Sequence, residues 1–144
     1  MRKAIVYASV HHGNTEKIVK SIAERCQVDL IDAVKQSDAD LRSYDMIGFA
    51  SGIYFSKFHQ SILKFAEKNL SDDKKVFLIC TYGGSANYRS IEQILDKKSC
   101  QRSREIWMQR IRYIWAVQTG WRYCKRDIRM IKISKIAVEF VKDL

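Results

Sequence analysis

The residues Ser9-Val10-His11-His12-Gly13-Asn14-Thr15 lie between a short apolar run and a helical pattern. A loop that feeds a helix N-terminus presents free backbone N–H groups and the positive end of the helix dipole, which together attract a phosphate. Ser9, Asn14 and Thr15 add side-chain donors, and Gly13 lets the backbone approach a ligand closely. The loop holds no Lys or Arg, so it is not a Walker-type nucleotide site. Neutral donors suit a phosphate held by hydrogen bonds rather than ion pairs. The same residues would also serve an ordinary N-capped helix start, with Asn14 or Thr15 as the cap. The adjacent His11 and His12 do not form a metal site, since neighbouring positions rarely point at one ion and no third ligand is close in sequence.

Two further segments have ring-binding character. Ser51-Gly52-Ile53-Tyr54-Phe55 places aromatics after an apolar run, and Thr81-Tyr82-Gly83-Gly84-Ser85-Ala86-Asn87-Tyr88 does so with glycines. Aromatic rings beside close-approaching backbone can hold a flat ring system. Tyr54 and Phe55 would equally serve as packing residues.

The elements that must position these segments are legible from periodicity. Lys3–Ser9, Val28–Ile31, Met46–Ala50 and Val76–Cys80 are short apolar runs, read as strands, with the third ending at Ser51-Gly52 and the fourth at Thr81. Helical spacing of apolar residues marks Glu16–Cys26, Phe58–Leu70, Ile91–Leu95 and Ser134–Leu144. Strands apolar on both faces, alternating with amphipathic helices, predict a doubly wound parallel α/β sheet. In that class ligands bind beyond the carboxyl ends of the strands, where all three segments would sit. The 144 residues suit one domain, 1–144.

Composition narrows the setting. Hydrophobic residues make up 47% and charged residues 29%, and no apolar run reaches the roughly 20 residues of a membrane span. The apolar stretch after Met1-Arg2-Lys3 is too short and wrongly flanked for a secretory signal, so a cytoplasmic location is expected. Cys26, Cys80, Cys100 and Cys124 show no metal-ligand spacing and read as reduced thiols. The net charge of +10 is concentrated: residues 99–133 hold nine Lys/Arg and two acids. Basicity is therefore mostly a property of one segment.

The run Ile5-Val-Tyr-Ala-Ser-Val-His-His-Gly-Asn-Thr-Glu-Lys-Ile18 resembles the opening of flavodoxins. The resemblance covers about residues 3–98 and again 134–144. It implies a flavodoxin-like three-layer sandwich, FMN as cofactor and electron transfer between redox protein partners, with no nucleic-acid partner. Ser9, Val10, His11, His12, Gly13, Asn14 and Thr15 would surround the FMN phosphate. Ser51, Gly52, Ile53, Tyr54 and Phe55 would flank the isoalloxazine, as would Thr81, Tyr82, Gly83 and Gly84. The first loop is one residue longer than the commonest flavodoxin pattern. That length, with Ser51-Gly-Ile-Tyr54, is similar to flavodoxin-type protoporphyrinogen dehydrogenases, which pass electrons from FMN to quinones. An FMN-dependent dehydrogenase or quinone reductase is therefore the enzyme alternative. A pure carrier needs no general acid or base, and no catalytic residue is identified.

After Lys98 the pattern fails. Residues 99–133 hold all three Trp and no clear strand, where a flavodoxin needs its fifth. A basic, aromatic-rich stretch suits nucleic-acid binding or a partner-binding amphipathic helix, which is the non-redox alternative. A third account is a shifted reading frame. Back-translated and moved by one base, Glu105 to Arg126 can be read as K-F-G-C-K-G-Y-D-T-Y-G-P-F-K-L-V-G-G-I-A-K-G. One further slip near Arg126 lets the run to Ile133 be read as G-H-P-N-D-K-D. Trp is encoded only by TGG, so Trp107, Trp115 and Trp121 must each become glycine in the shifted frame. The shifted text resembles the glycine-rich loop of this flavodoxin group and restores proline, which the chain lacks altogether. As written, the segment is expected to pack badly or form irregular helix, and to weaken FMN binding.

Overall fold

The computed structural model describes residues 1–82, 87–109 and 134–144, with 103–109 described through their backbone. Five strands run parallel in the order β2-β1-β3-β5-β6. They are β1 (Lys3–Ala8), β2 (Val28–Asp32), β3 (Met46–Tyr54), β5 (Lys75–Tyr82) and β6 (Gln101–Gln109). A two-residue strand, β4 (Lys57–Phe58), turns back antiparallel onto the end of β3. The helices are α1 (Asn14–Ala23), α2 (Gln60–Asn69), α3 (Arg89–Lys97) and α4 (134–142). The doubly wound, three-layer α/β architecture expected from the sequence is the one observed.

Alternation along the strands separates two cores. Ile5, Tyr7, Met46, Ala50, Phe77 and Ile79 face α1 and α4, meeting Ile18, Val19, Ile22, Ala137, Val138 and Val141. Their sequence neighbours Ala4, Val6, Ala8, Ile47, Phe49, Val76, Leu78 and Cys80 face α2 and α3. Burial on both faces explains why these strands read as continuous apolar runs. At Gly48, a Cβ would collide with the ring of Phe77, its partner across β3 and β5. The missing side chain lets that ring lie flat on the sheet.

Two expectations need correction. The third strand does not end at Ser51-Gly52. Ser51 and Gly52 continue the ladder opposite Cys80 and Thr81, and β3 runs on to Tyr54 before the hairpin turns at Phe55-Ser56. The segment after Lys98 does contain a clear strand. β6 pairs with β5 from Lys75↔Gln101 to Tyr82↔Gln109, with a bulge at Val76/Phe77. It sits at the end of the strand order, where one ladder suffices and polar residues such as Gln101 and Arg102 can face water. Residues 110–133, which carry most of the proposed frame shift, lie outside the described residues.

Candidate functional site

The carboxyl ends of β1, β3 and β5 converge on one edge of the sheet, with the starts of α1, α2 and α3 around them. β1 stops at Ala8, and the chain crosses to α1 through His12 and Gly13, both in the left-handed region (φ 58° and 63°). Gly13 is the N-cap residue and has no side chain to cap the first turn. The first intrahelical donor is Lys17 N–H, bonded to the Gly13 carbonyl at 3.0 Å. The N–H groups of Asn14, Thr15 and Glu16 therefore lie ahead of the helical ladder. Among the described residues, nothing lies within 4 Å of where a Gly13 Cβ would stand, so no described side chain blocks the approach to this helix start.

Ser9 supplies the most informative atom. Its Oγ is buried, yet makes no hydrogen bond, the one such side-chain N or O atom among the described residues. A buried hydroxyl left unpaired costs about 1–3 kcal/mol. An anion seated on the α1 N-terminus would supply the missing acceptor. Asn14 is half-buried at the helix start, and Thr15 is buried. The Thr15 hydroxyl lies 2.9 Å from that of Thr81, joining the start of α1 to the end of β5. One hydroxyl of that pair donates to the other, which leaves a single proton free to bond elsewhere. Val10, His11 and His12 are exposed on the same loop.

The second segment forms a wall rather than a loop. The Ser51 hydroxyl donates to the Gly52 carbonyl at 2.7 Å and accepts from His59 N–H at 2.9 Å, so it fastens β3 to the start of α2. Ile53 packs on the α2/α3 core. Tyr54 folds back over Gly52, whose missing Cβ makes room for its ring. The Tyr54 ring lies between two imidazoles, 5.5 Å from His11 and 5.3 Å edge-on from His59. Phe55 is fully exposed at the hairpin tip, and both turn residues adopt left-handed backbone (Phe55 φ 49°, Ser56 φ 61°). Those angles suit a two-residue hairpin but are strained for side chains larger than Asn. From the third segment, Thr81 is buried and Tyr82 half-buried at the end of β5. Gly83 and Gly84 lie outside the described residues.

Sequence reasoning passed over His59 and Ser90. His59 is the N-cap of α2: its Nδ1 accepts from Ser61 N–H at 3.3 Å and lies 2.8 Å from Ser61 Oγ. Imidazole is an uncommon cap, so composition gave no cue. Ser90 Oγ accepts from Phe58 N–H at 3.1 Å, pinning the hairpin to α3, a pairing that only the tertiary fold creates. Nearby, burial pushes the Cys80 thiol up to about 12, so it stays protonated.

The flavodoxin domain family model matches residues 4–110. The chain belongs to the flavodoxin family. An uncharacterized Methanocaldococcus jannaschii protein is 47% identical over 83 residues, covering 58% of this chain. The match spans 55% of that relative, so little more than half of its length is shared. Among solved structures, a flavodoxin from the domain Archaea superposes with a TM-score of 0.66 at 15% identity, covering 98% of this chain and 97% of its own. An NAD(P)H:quinone oxidoreductase from Methanothermobacter marburgensis superposes with a TM-score of 0.58 at 9% identity, covering 97% and 96%. These likenesses carry the fold. Flavodoxin-family proteins typically bind FMN. No described helix is long and apolar enough to cross a membrane.

Proposed function

We propose that this edge of the sheet binds FMN and that the chain carries electrons between redox proteins. The observation that carries the reading is the unpartnered, buried Ser9 Oγ beside the open N-terminus of α1. Ser9 would donate to a phosphate oxygen, together with the N–H groups that precede the α1 ladder and the proton left free by Thr15 and Thr81. Gly13 keeps the approach clear of side chains. The Tyr54 ring, fixed between His11 and His59, gives a preset wall for a flat ring system, and Phe55 supplies a second ring at the rim. FMN supplies the redox chemistry; the protein binds it, orients it and limits the access of water.

The enzyme reading is an FMN-dependent dehydrogenase or quinone reductase. It draws support from the longer phosphate loop with Ser51-Gly-Ile-Tyr54, and from the shared fold with a quinone oxidoreductase. Turnover of a quinone or a porphyrinogen by FMN-loaded protein separates the two: the carrier reading predicts none beyond the rate of free flavin. Visible absorbance of the purified protein tests FMN binding itself.

A further inference from the structure

Charge pairing around the same edge is uneven. The carboxylates at the start of α1 and the end of β2 are each matched: Glu16 with Lys20 at 2.7 Å and Asp32 with Lys35 at 3.4 Å. Three exposed cations there are not. Lys17 lies in the first turn of α1, Lys57 follows the hairpin turn and Arg89 opens α3. None of the three stands in an ion pair among the described residues. Lys57 and Arg89 are brought together by the fold. Each immediately precedes a member of the Phe58 N–H···Ser90 Oγ bond, and Phe58 also packs its ring 5.7 Å from that of Tyr88. Two residues before Lys57, at the hairpin tip, stands fully exposed Phe55.

An aromatic anchor on a fixed turn, flanked by unmatched cations, has the composition of a small protein-docking face. The strained turn keeps Phe55 fully exposed, pointing out of the fold. We propose that the hairpin tip and the adjoining starts of α1 and α3 dock an acidic electron-transfer protein, with Phe55 as anchor and Lys17, Lys57 and Arg89 as its charged rim. The proposal rests on the carrier reading, and it names the charge class of the partner.

The test measures binding directly, so it does not depend on FMN. An acidic plant-type ferredoxin is immobilised and the full chain is titrated over it, with and without FMN, at low and at high salt. The wild-type chain is expected to bind, and to lose about tenfold or more in affinity at high salt. The double variant K57E/R89E is expected to lose a similar factor at low salt, and F55A about tenfold at either salt. All three positions are exposed, and a thermal melt checks that each variant is folded. The proposal is overturned if ferredoxin does not bind or the variants bind it unchanged. It is equally overturned by tighter binding of cationic cytochrome c, or of a DNA duplex at the same salt. Absorbance of the bound flavin is read in the same samples. A chain that takes up no FMN yet shows the salt- and variant-sensitive binding keeps the docking face and loses the carrier reading.

Discussion

A single hydroxyl distinguishes a ligand-ready site from an ordinary helix start. In a chain with nothing to bind, Ser9 Oγ is a liability, since it is buried and unpaired. Ser9→Ala should therefore leave the FMN-free protein as stable as the parent, or stabilise it by up to about 1 kcal/mol, while weakening FMN affinity about tenfold or more. Urea unfolding and flavin titration on the same samples check both halves. A purely structural Ser9 would show a loss of stability and no change in affinity. His59 makes the opposite case. His59→Ala should cost about 1 kcal/mol through the lost α2 cap, and His59→Asn much less, because asparagine caps well. Urea midpoints check both. The sequence pointed to the first loop because glycine, serine, asparagine and threonine have well-defined roles before a helix. It did not point to His59, because imidazole is an uncommon cap and its ring contact with Tyr54 comes only from the tertiary fold.

At the scale of elements, the central strands were legible because burial on both faces writes them as unbroken apolar runs. Their ends were not. Ser51, Gly52 and Ile53 read as a loop by composition, yet β5 offers them a ladder and β4 folds back on them. β6 was missed because Gln101-Arg-Ser-Arg-Glu105 carries no apolar run, and its ladder with β5 is enough to hold it extended. The tight seam between β3 and β5 gives a prediction. Gly48→Ala would push on the buried ring of Phe77 and should cost about 1–3 kcal/mol in urea unfolding. Cys80 gives a second. Its folded pKa, about 12, lies above the ordinary thiol value, so unfolding releases a proton once pH exceeds the latter. The stability associated with the neutral thiol is thus fully present below about pH 8.5 and lost as pH rises towards the folded value. Native Cys80 should resist alkylation at mildly alkaline pH, and Cys80→Ala should flatten the alkaline fall in stability; mass spectrometry and urea midpoints across that range check this.

For the whole molecule, the fold class followed from alternating apolar strands and amphipathic helices, while the last third was obscured by composition. The relative from Methanocaldococcus jannaschii shares 47% identity over 58% of the chain, and the family match stops at residue 110. We propose that residues 99–133 are read in a shifted frame. Independent resequencing of the gene should show the base slips. If instead a single intact frame encodes the three tryptophans, the proposal fails. A chain with the frame restored should bind FMN more tightly than this one, as flavin titration would show. The central claim concerns the edge where Ser9, Gly13, Thr15, Tyr54 and Thr81 meet. It is tested most directly by titrating the purified chain with FMN and following the flavin fluorescence. We predict saturable quenching at one FMN per chain, weakened in Ser9→Ala. Fluorescence that stays at the level of free FMN throughout the titration would contradict the account.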